Sequence, residues 1–418
     1  MSAVGSPTAV AEAELVARAA WSRLAEPGDE VAGALVAALG ARDALAWVRD
    51  AAQGCARAAS DVAGGGPAAR RLATAVTRWA PRLETLAPDR DLDAHRRRGG
   101  DVVVPGDPRW PAALDDLAAA APHALWTLGG GDLAAALDGS VAVIGARACT
   151  AYGERVTAEL TAGLVDVRRP VVSGGAYGID AVAHRTTLRC GGRTVVVLAG
   201  GVDRPYPAGN ARLLAEVVAS GGTLVSEVPP GSVPSRSRFL QRNRLIAAGG
   251  SVTVVVEAAW RSGALNTAGT AATLLRPVGA VPGPVTSSAS AGCHRLMREG
   301  VAACVTGVED VLELVAPAGS DLRPAAPEVA ARRPVDALDE VHARTLDALP
   351  VRAWAVEESV SRVAGLALAE VRAALGRLEL AGLAERSEGR WRRRTVRDGR
   401  VRTGPDRART NPDGPGSG

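Results

Sequence analysis

The sequence predicts an α/β protein: a Rossmann-like, doubly wound and mostly parallel sheet, flanked by a helical N-terminal domain and a C-terminal winged-helix domain. Three observations carry this. Six short β-branched runs recur, Val141–Ile144, Val171–Val172, Thr194–Leu198, Thr223–Val225, Val252–Val256 and Ala280–Val281, with centres about 25–30 residues apart. Helical stretches separate them, the βαβ rhythm of a sheet covered on both faces. Each run ends in glycine, a small hydroxyl residue or a charge.

In chain order, residues 10–98 read as helical. Apolar residues fall at three- and four-residue spacing in AEAELVARAAWSRL and EVAGALVAALGARDALAWVRD, with breaks at Pro27-Gly28-Asp29 and Gly40. Residues 1–100 are therefore expected to form a small helical domain of SAM or helix-hairpin-helix type. The Pro/Gly-rich passage VVVPGDPRWPAALDDL leads into the sheet domain, 101–315. Between the first two runs, Val156, Leu160 and Leu164 form an i, i+4, i+8 stripe suited to packing on a sheet. Residues 316–335 are rich in Pro, Ala and charge and read as a linker. In 336–395, a last helix with Leu368, Val371, Leu375 and Leu378 on one face precedes LAERSEGRWRR, two extended runs around a Ser-Glu-Gly turn. That is the winged-helix order. Residues 396–418 read as an Arg-rich disordered tail.

All 49 basic residues of the 418-residue chain are arginines. Without lysine there is no Schiff base, no Walker-A loop and no kinase lysine. The formal net charge is +4, yet residues 386–418 alone hold ten arginines against four acidic residues. The rest of the chain is close to neutral, so the basic pI says little about its partner. Five scattered cysteines form no C-x-x-C pair, which argues against structural zinc and suits a reducing cytosol. No basic n-region precedes an apolar core at the start, and no run of 18 apolar residues is free of charges and breakers. The expectation is a cytoplasmic protein with no membrane partner.

In an open α/β sheet, ligands bind beyond the carboxyl ends of the strands. The segments there are GARACTAYG, SGGAYGIDAVAH, AGGVDRPYP, SEVPPG, EAAWRSGALNTAGTA and PGPV. Glycines let backbone N–H groups approach an anion, and a following helix N-terminus adds a positive dipole. A βα turn needs glycine anyway; six such turns in register point to phosphate binding. The candidates on these segments are Arg147, Tyr152, Gly153, Ser173, Gly174, Gly175, Tyr177, Gly178, Asp180, Ser262, Gly263 and Thr267. The segment SRSRFLQRNRLIAAG adds Arg236, Arg238, Arg242, Asn243 and Arg244, whose guanidinium forks match phosphate oxygens and stack on bases. Tyr152, Tyr177, Tyr206 and Phe239, the only Tyr and Phe in the chain, all fall in or beside these loops and are candidate stacking groups. The first strand lacks the G-x-G-x-x-G fingerprint, so no nicotinamide or flavin cofactor is expected. Asp180 and His184 share a helix face, but no G-x-S-x-G elbow accompanies Ser173 or Ser226, and no second histidine completes a metal set. No catalytic residue, metal or cofactor is expected.

Together these loops resemble the DNA-processing protein A (DprA/Smf) family. The matching residues run in order: VIGAR with a later YG; SGGAYGIDAVAH; VLAGGVDRPYPAGN; LVSEVPPG; RFLQRNRLIA; VVVEAAWRSGALNTA; and VPGPV. The resemblance covers about 105–315. It implies a recombination mediator without turnover that binds single-stranded DNA, dimerises, and loads the RecA recombinase during DNA uptake. By motif it implies DNA contact by Arg147, by Gly174, Gly178 and Asp180 of the second loop, by Arg242, Asn243 and Arg244, and by Ser262 and Gly263. Two departures stand out. Tyr177 replaces a Lys or Arg common before Gly-Ile-Asp, and Gly292-Cys293-His294 replaces a common Gly-Asn step. The runner-up reading is a nucleotide enzyme of the lysine-decarboxylase-like phosphoribohydrolase group, whose PGGxGT signature is missing; a third is a nucleotide-sensing module.

Overall fold

The computed structural model describes residues 7–54, 62–316, 338–351 and 353–394. The expected linker, apart from Ala316, and the Arg-rich tail lie outside the described residues. The chain divides into two compact units, Met1–Ser320 and Asp321–Gly418.

The first unit opens with helices Pro7–Leu24, Glu30–Leu39, Ala41–Ala51, Gly66–Leu83 and Pro88–Arg96. Asp29 caps the second: its Oδ1 accepts from the Val31 and Ala32 amides, while Arg78 and Trp79 donate to Oδ2. Gly28 and Gly40 take the positive φ angles that end one helix and start the next. Trp21 and Trp79 meet edge to face at 5.4 Å in the centre of these helices. The helices sit directly on the sheet edge. Trp126 donates from its indole to Ser22 Oγ at 3.0 Å, and His95 Nε2 donates to the carbonyls of Asp101 and Thr127.

Nine strands form one sheet among the described residues: β1 Gly100–Val103, β2 Leu125–Gly129, β3 Val141–Ile144, β4 Val171–Gly174, β5 Thr194–Leu198, β6 Thr223–Ser226, β7 Val252–Val255, β8 Val278–Ala280 and β9 Ala303–Cys304. Their order is β1-β2-β6-β5-β4-β3-β7-β8-β9. Strands β3 to β9 pair in parallel; β2 runs antiparallel to β6 and β1 to β2. The six predicted runs are β3 to β8, with β8 displaced to Val278–Ala280. Strands β3 to β8 are buried on both faces, which explains their unbroken Val-rich character. From β3 the chain winds one way to β6, then crosses back to place β7 on the other side of β3. That reversal opens a crevice at the carboxyl ends of the strands.

The second unit holds helices Glu340–Asp347, Glu357–Ala364 and Leu368–Leu380, then an antiparallel hairpin, β10 Ala384–Ser387 with β11 Arg390–Arg393. Glu388 and Gly389 both have positive φ, as a two-residue hairpin turn requires. Val371, Leu375 and Leu378 pack with Leu346, Val360 and Trp391 to form its core.

Candidate functional site

A cavity of about 760 Å³ opens at the crevice. Its floor is Ile144 and Gly145 at the end of β3; one wall is Ala176 and Asp180 after β4, with Tyr206 after β5. The other wall is Val233–Arg236, Phe239, Leu240, Arg242, Asn243 and Ile246, and the N-terminus of helix Gly263–Thr273 supplies Ser262, Gly263, Ala264 and Thr267.

Local sequence fixes this geometry. Gly178 has φ +74°, and a Cβ there would run into the carbonyls of Ala146 and Arg147. Only glycine lets the loop after β4 lie flush on the loop after β3, where the Ile179 amide donates to the Ala146 carbonyl at 3.2 Å. Asn210 Nδ2 donates to the carbonyls of Gly175 and Ala176 and pins the same loop. Ser235 caps helix Arg236–Gly249 and Ser262 caps helix Gly263–Thr273, each hydroxyl accepting a first-turn amide.

Charge and aromatic rings meet at one edge. The Arg147 guanidinium lies 5.0 Å from the Phe239 ring centroid, Arg242 lies 6.0 Å from it, and the Tyr206 ring is tilted against it at 5.7 Å. Arg147 and Arg236 are exposed; Arg242 is only 7% exposed. Arg242 donates to the Val197 carbonyl and faces the buried Asp180. Burial pushes the Asp180 carboxyl up and Arg242 down, each against the pull of the other. Beneath them, burial lowers the pKa of His184 to about 4, so its ring is neutral. Nε2–H donates to the Gly174 carbonyl at 2.8 Å, which leaves Nδ1 to accept from the Thr194 hydroxyl at 2.7 Å. This arrangement locks the loop rather than presenting a base to the cavity.

Of the sequence candidates, the fold brings Arg147, Asp180, Arg236, Arg242, Asn243, Ser262, Gly263 and Thr267 to the cavity. Gly174 lies behind Arg242 and Asp180, and Gly175 packs on Leu198. The others are engaged elsewhere. Arg244 forms a buried ion pair with Glu227 at 2.6 Å. Arg238 is held by Glu26 of the helical segment and by the Val233 carbonyl. Tyr152 donates to the Pro282 carbonyl, and Ser173 to the Val143 carbonyl inside the sheet. Gly153 makes room for the Glu257 carboxylate, which accepts from the amide and hydroxyl of Thr150. Tyr177 is half exposed and lies against Gly209, outside the cavity lining. His294 and Gly292, at the second departure from the family pattern, bond to Gly283 and Ala258.

Sequence reasoning did not include the apolar wall, Val233, Pro234, Leu240 and Ile246. Its one signal is the interleaving of arginines with Phe239, Leu240 and Ile246 along SRSRFLQRNRLI, where residues 239, 242, 243 and 246 recur at three- and four-residue spacing on one helix face. Among the described residues no group of three or more His, Cys, Asp or Glu is placed to hold a metal. No single helix among them is long and apolar enough to cross a membrane.

Comparison with known proteins gives the same region. Residues 101–316 match the family model described as DNA recombination-mediator protein A. A putative DNA processing protein DprA of Mycobacterium tuberculosis is 48% identical over 316 residues, covering 72% of this chain and 79% of that protein. Protein Smf of Escherichia coli is 40% identical over 183 residues, 44% of this chain and 49% of its own. The X-ray structure of DNA processing protein A from Streptococcus pneumoniae superposes with a TM-score of 0.56 at 28% identity, over 72% of this chain and 97% of that one.

Proposed function

The chain belongs to the DNA recombination-mediator protein A family, and on that premise we propose that it binds single-stranded DNA at the crevice and passes the strand to the RecA recombinase. One observation carries the reading: two exposed arginines, Arg147 and Arg236, and a Tyr206–Phe239 ring pair share the rim of one cavity with apolar walls. Aromatic faces hold bases of any sequence, and arginines beside them meet the phosphates. The N-terminus of helix Gly263–Thr273, where Gly263 lines the cavity, adds a weak positive potential.

The same reading gives the rest of the molecule its roles. The protein works as a homodimer in the cytoplasm and turns nothing over. Residues 1–100 support the sheet domain, 101–315 bind DNA, and 336–395 act as a winged helix joined by the 316–335 linker. Within the RNR element, Arg242 holds the loop and Arg244 the fold, while Asn243 faces the strand.

The test is direct. The full chain is titrated with a labelled single strand and with duplex of equal length across salt concentrations, because phosphate contacts release counterions and affinity falls steeply with salt. Preference for the single strand, faster RecA filament loading, and a light-scattering mass of two chains are expected. Equal or better duplex binding removes the single-strand reading; unchanged loading removes the mediator role.

A further inference from the structure

Trp260 is 53% exposed, the most exposed of the eight tryptophans. Trp21, Trp79, Trp110, Trp126 and Trp391 are buried. An indole is a large apolar group that folding normally covers, so one left open calls for a partner. Its loop is not slack. It leaves β7 through the buried Glu257, which is anchored by Thr150. The Gly292 amide donates to the Ala258 carbonyl at 2.7 Å. A Cβ at 292 would strike the carbonyls of both Ala258 and Ala259, so helix Ala291–Arg298 begins flush against the loop. From that helix the Arg295 guanidinium reaches to 5.4 Å from the Trp260 ring, with its Nε held by Glu299 at 3.0 Å.

We propose that Trp260 and Arg295 form a second base-stacking platform, which takes a neighbouring nucleotide of the strand whose base occupies the cavity. The inference rests on the single-strand reading above. Continuity supports it: Ser262, two residues on, lines the cavity, so Trp260 lies within about 7 Å of chain from its wall. Charge supports it as well. Arg261 is exposed beside the indole, and exposed Arg298 lies one turn beyond Arg295 on the same helix. An indole already in contact with a guanidinium offers a stacking surface that any base fits, with arginines near enough to meet its phosphates.

The experiment uses the full chain and an oligothymidylate of about 20 nucleotides, longer than ordinary single-strand site sizes. Thymine stacking should quench the tryptophan emission of the unsubstituted chain. Trp260→Phe should abolish that quench and keep affinity within about threefold, because a ring remains. Trp260→Ala should weaken binding between about fivefold and a hundredfold, the range that losing one base–aromatic stack carries. Both variants should melt at the unsubstituted temperature. Unchanged affinity in Trp260→Ala overturns the platform; if that variant also loses its dimer mass, the indole serves a protein contact instead. Failure of the unsubstituted chain to bind the oligonucleotide at all is a different result: it removes the single-strand reading, and the platform falls with it.

Discussion

Arg242 and Asp180 converge over Gly174, so close that a Cβ at that position would strike both side chains. Both groups are buried; desolvation pushes the Asp180 carboxyl up and Arg242 down, and the charge of each opposes the shift of the other. The cavity rim is thus built on an internal charge pair rather than on a free arginine.

Arg242→Ala should therefore act first on the fold. Removing the guanidinium takes away both the donor to the Val197 carbonyl and the opposite charge that faces buried Asp180, a loss of up to roughly 3–5 kcal/mol. Urea denaturation should show a markedly lower midpoint, and Asp180→Asn in the same chain should restore part of it. An unchanged midpoint with weaker DNA binding would make Arg242 a direct contact instead.

Arg147→Ala should do the reverse. Its side chain is exposed at the rim and touches Phe239, so stability should move by no more than about 0.5 kcal/mol. Single-strand affinity should fall, and the slope of log affinity against log salt should shrink by about 0.7, the value for one phosphate of a single strand. A lower melting temperature with an unaltered salt slope would contradict this.

Arg244→Ala tests the opposite end of the RNR element. Arg244 and Glu227 are both nearly inaccessible and paired at 2.6 Å. The variant should lose roughly 3–5 kcal/mol of stability. In the fraction that remains folded, the salt slope should match that of the unsubstituted chain.

Acid should weaken the first unit through its buried histidines. Burial lowers His184 to about 4 and His123 to about 3, against an ordinary value of 6.5. The unfolded chain then binds more protons than the folded one between these values, so stability falls as pH drops below 6.5 and levels off only near the folded values. For His184 the full loss is on the order of 3 kcal/mol. Melting temperatures between pH 7 and 4 should show the decline, and His184→Gln, which keeps a donor near the Gly174 carbonyl, should make it shallower. A pH-independent melt over that range would mean that neither ring is held neutral.

Strands β3 to β8 were legible because each is buried on both faces and so must be a short apolar run, and because the crossover helix fixes the spacing. Strands β1, β2 and β9 were not. β9 is only two exposed residues, Ala303 and Cys304; β1 and β2 lie next to Pro/Gly-rich or alanine-rich sequence, β2 joins the sheet through β6, nearly a hundred residues away, and β1 is held only through β2. The loops after the strands were legible for a similar reason: close backbone approach demands glycine, as at Gly178.

By itself, then, the sequence determined the α/β order, the loops that meet at the crevice, and the supply of arginine and aromatic groups to them. Which arginines remain free was decided only by the tertiary structure. Arg147, Arg236, Arg238, Arg242 and Arg244 are chemically identical in the sequence. Glu26 reaches Arg238 across 212 residues, Glu227 takes Arg244, and Asp180 faces Arg242, while Arg147 and Arg236 stay at the rim. A guanidinium carries its charge wherever it stands, but whether that charge meets solvent, a ligand or a buried carboxylate depends on contacts between distant segments, which local pattern does not encode.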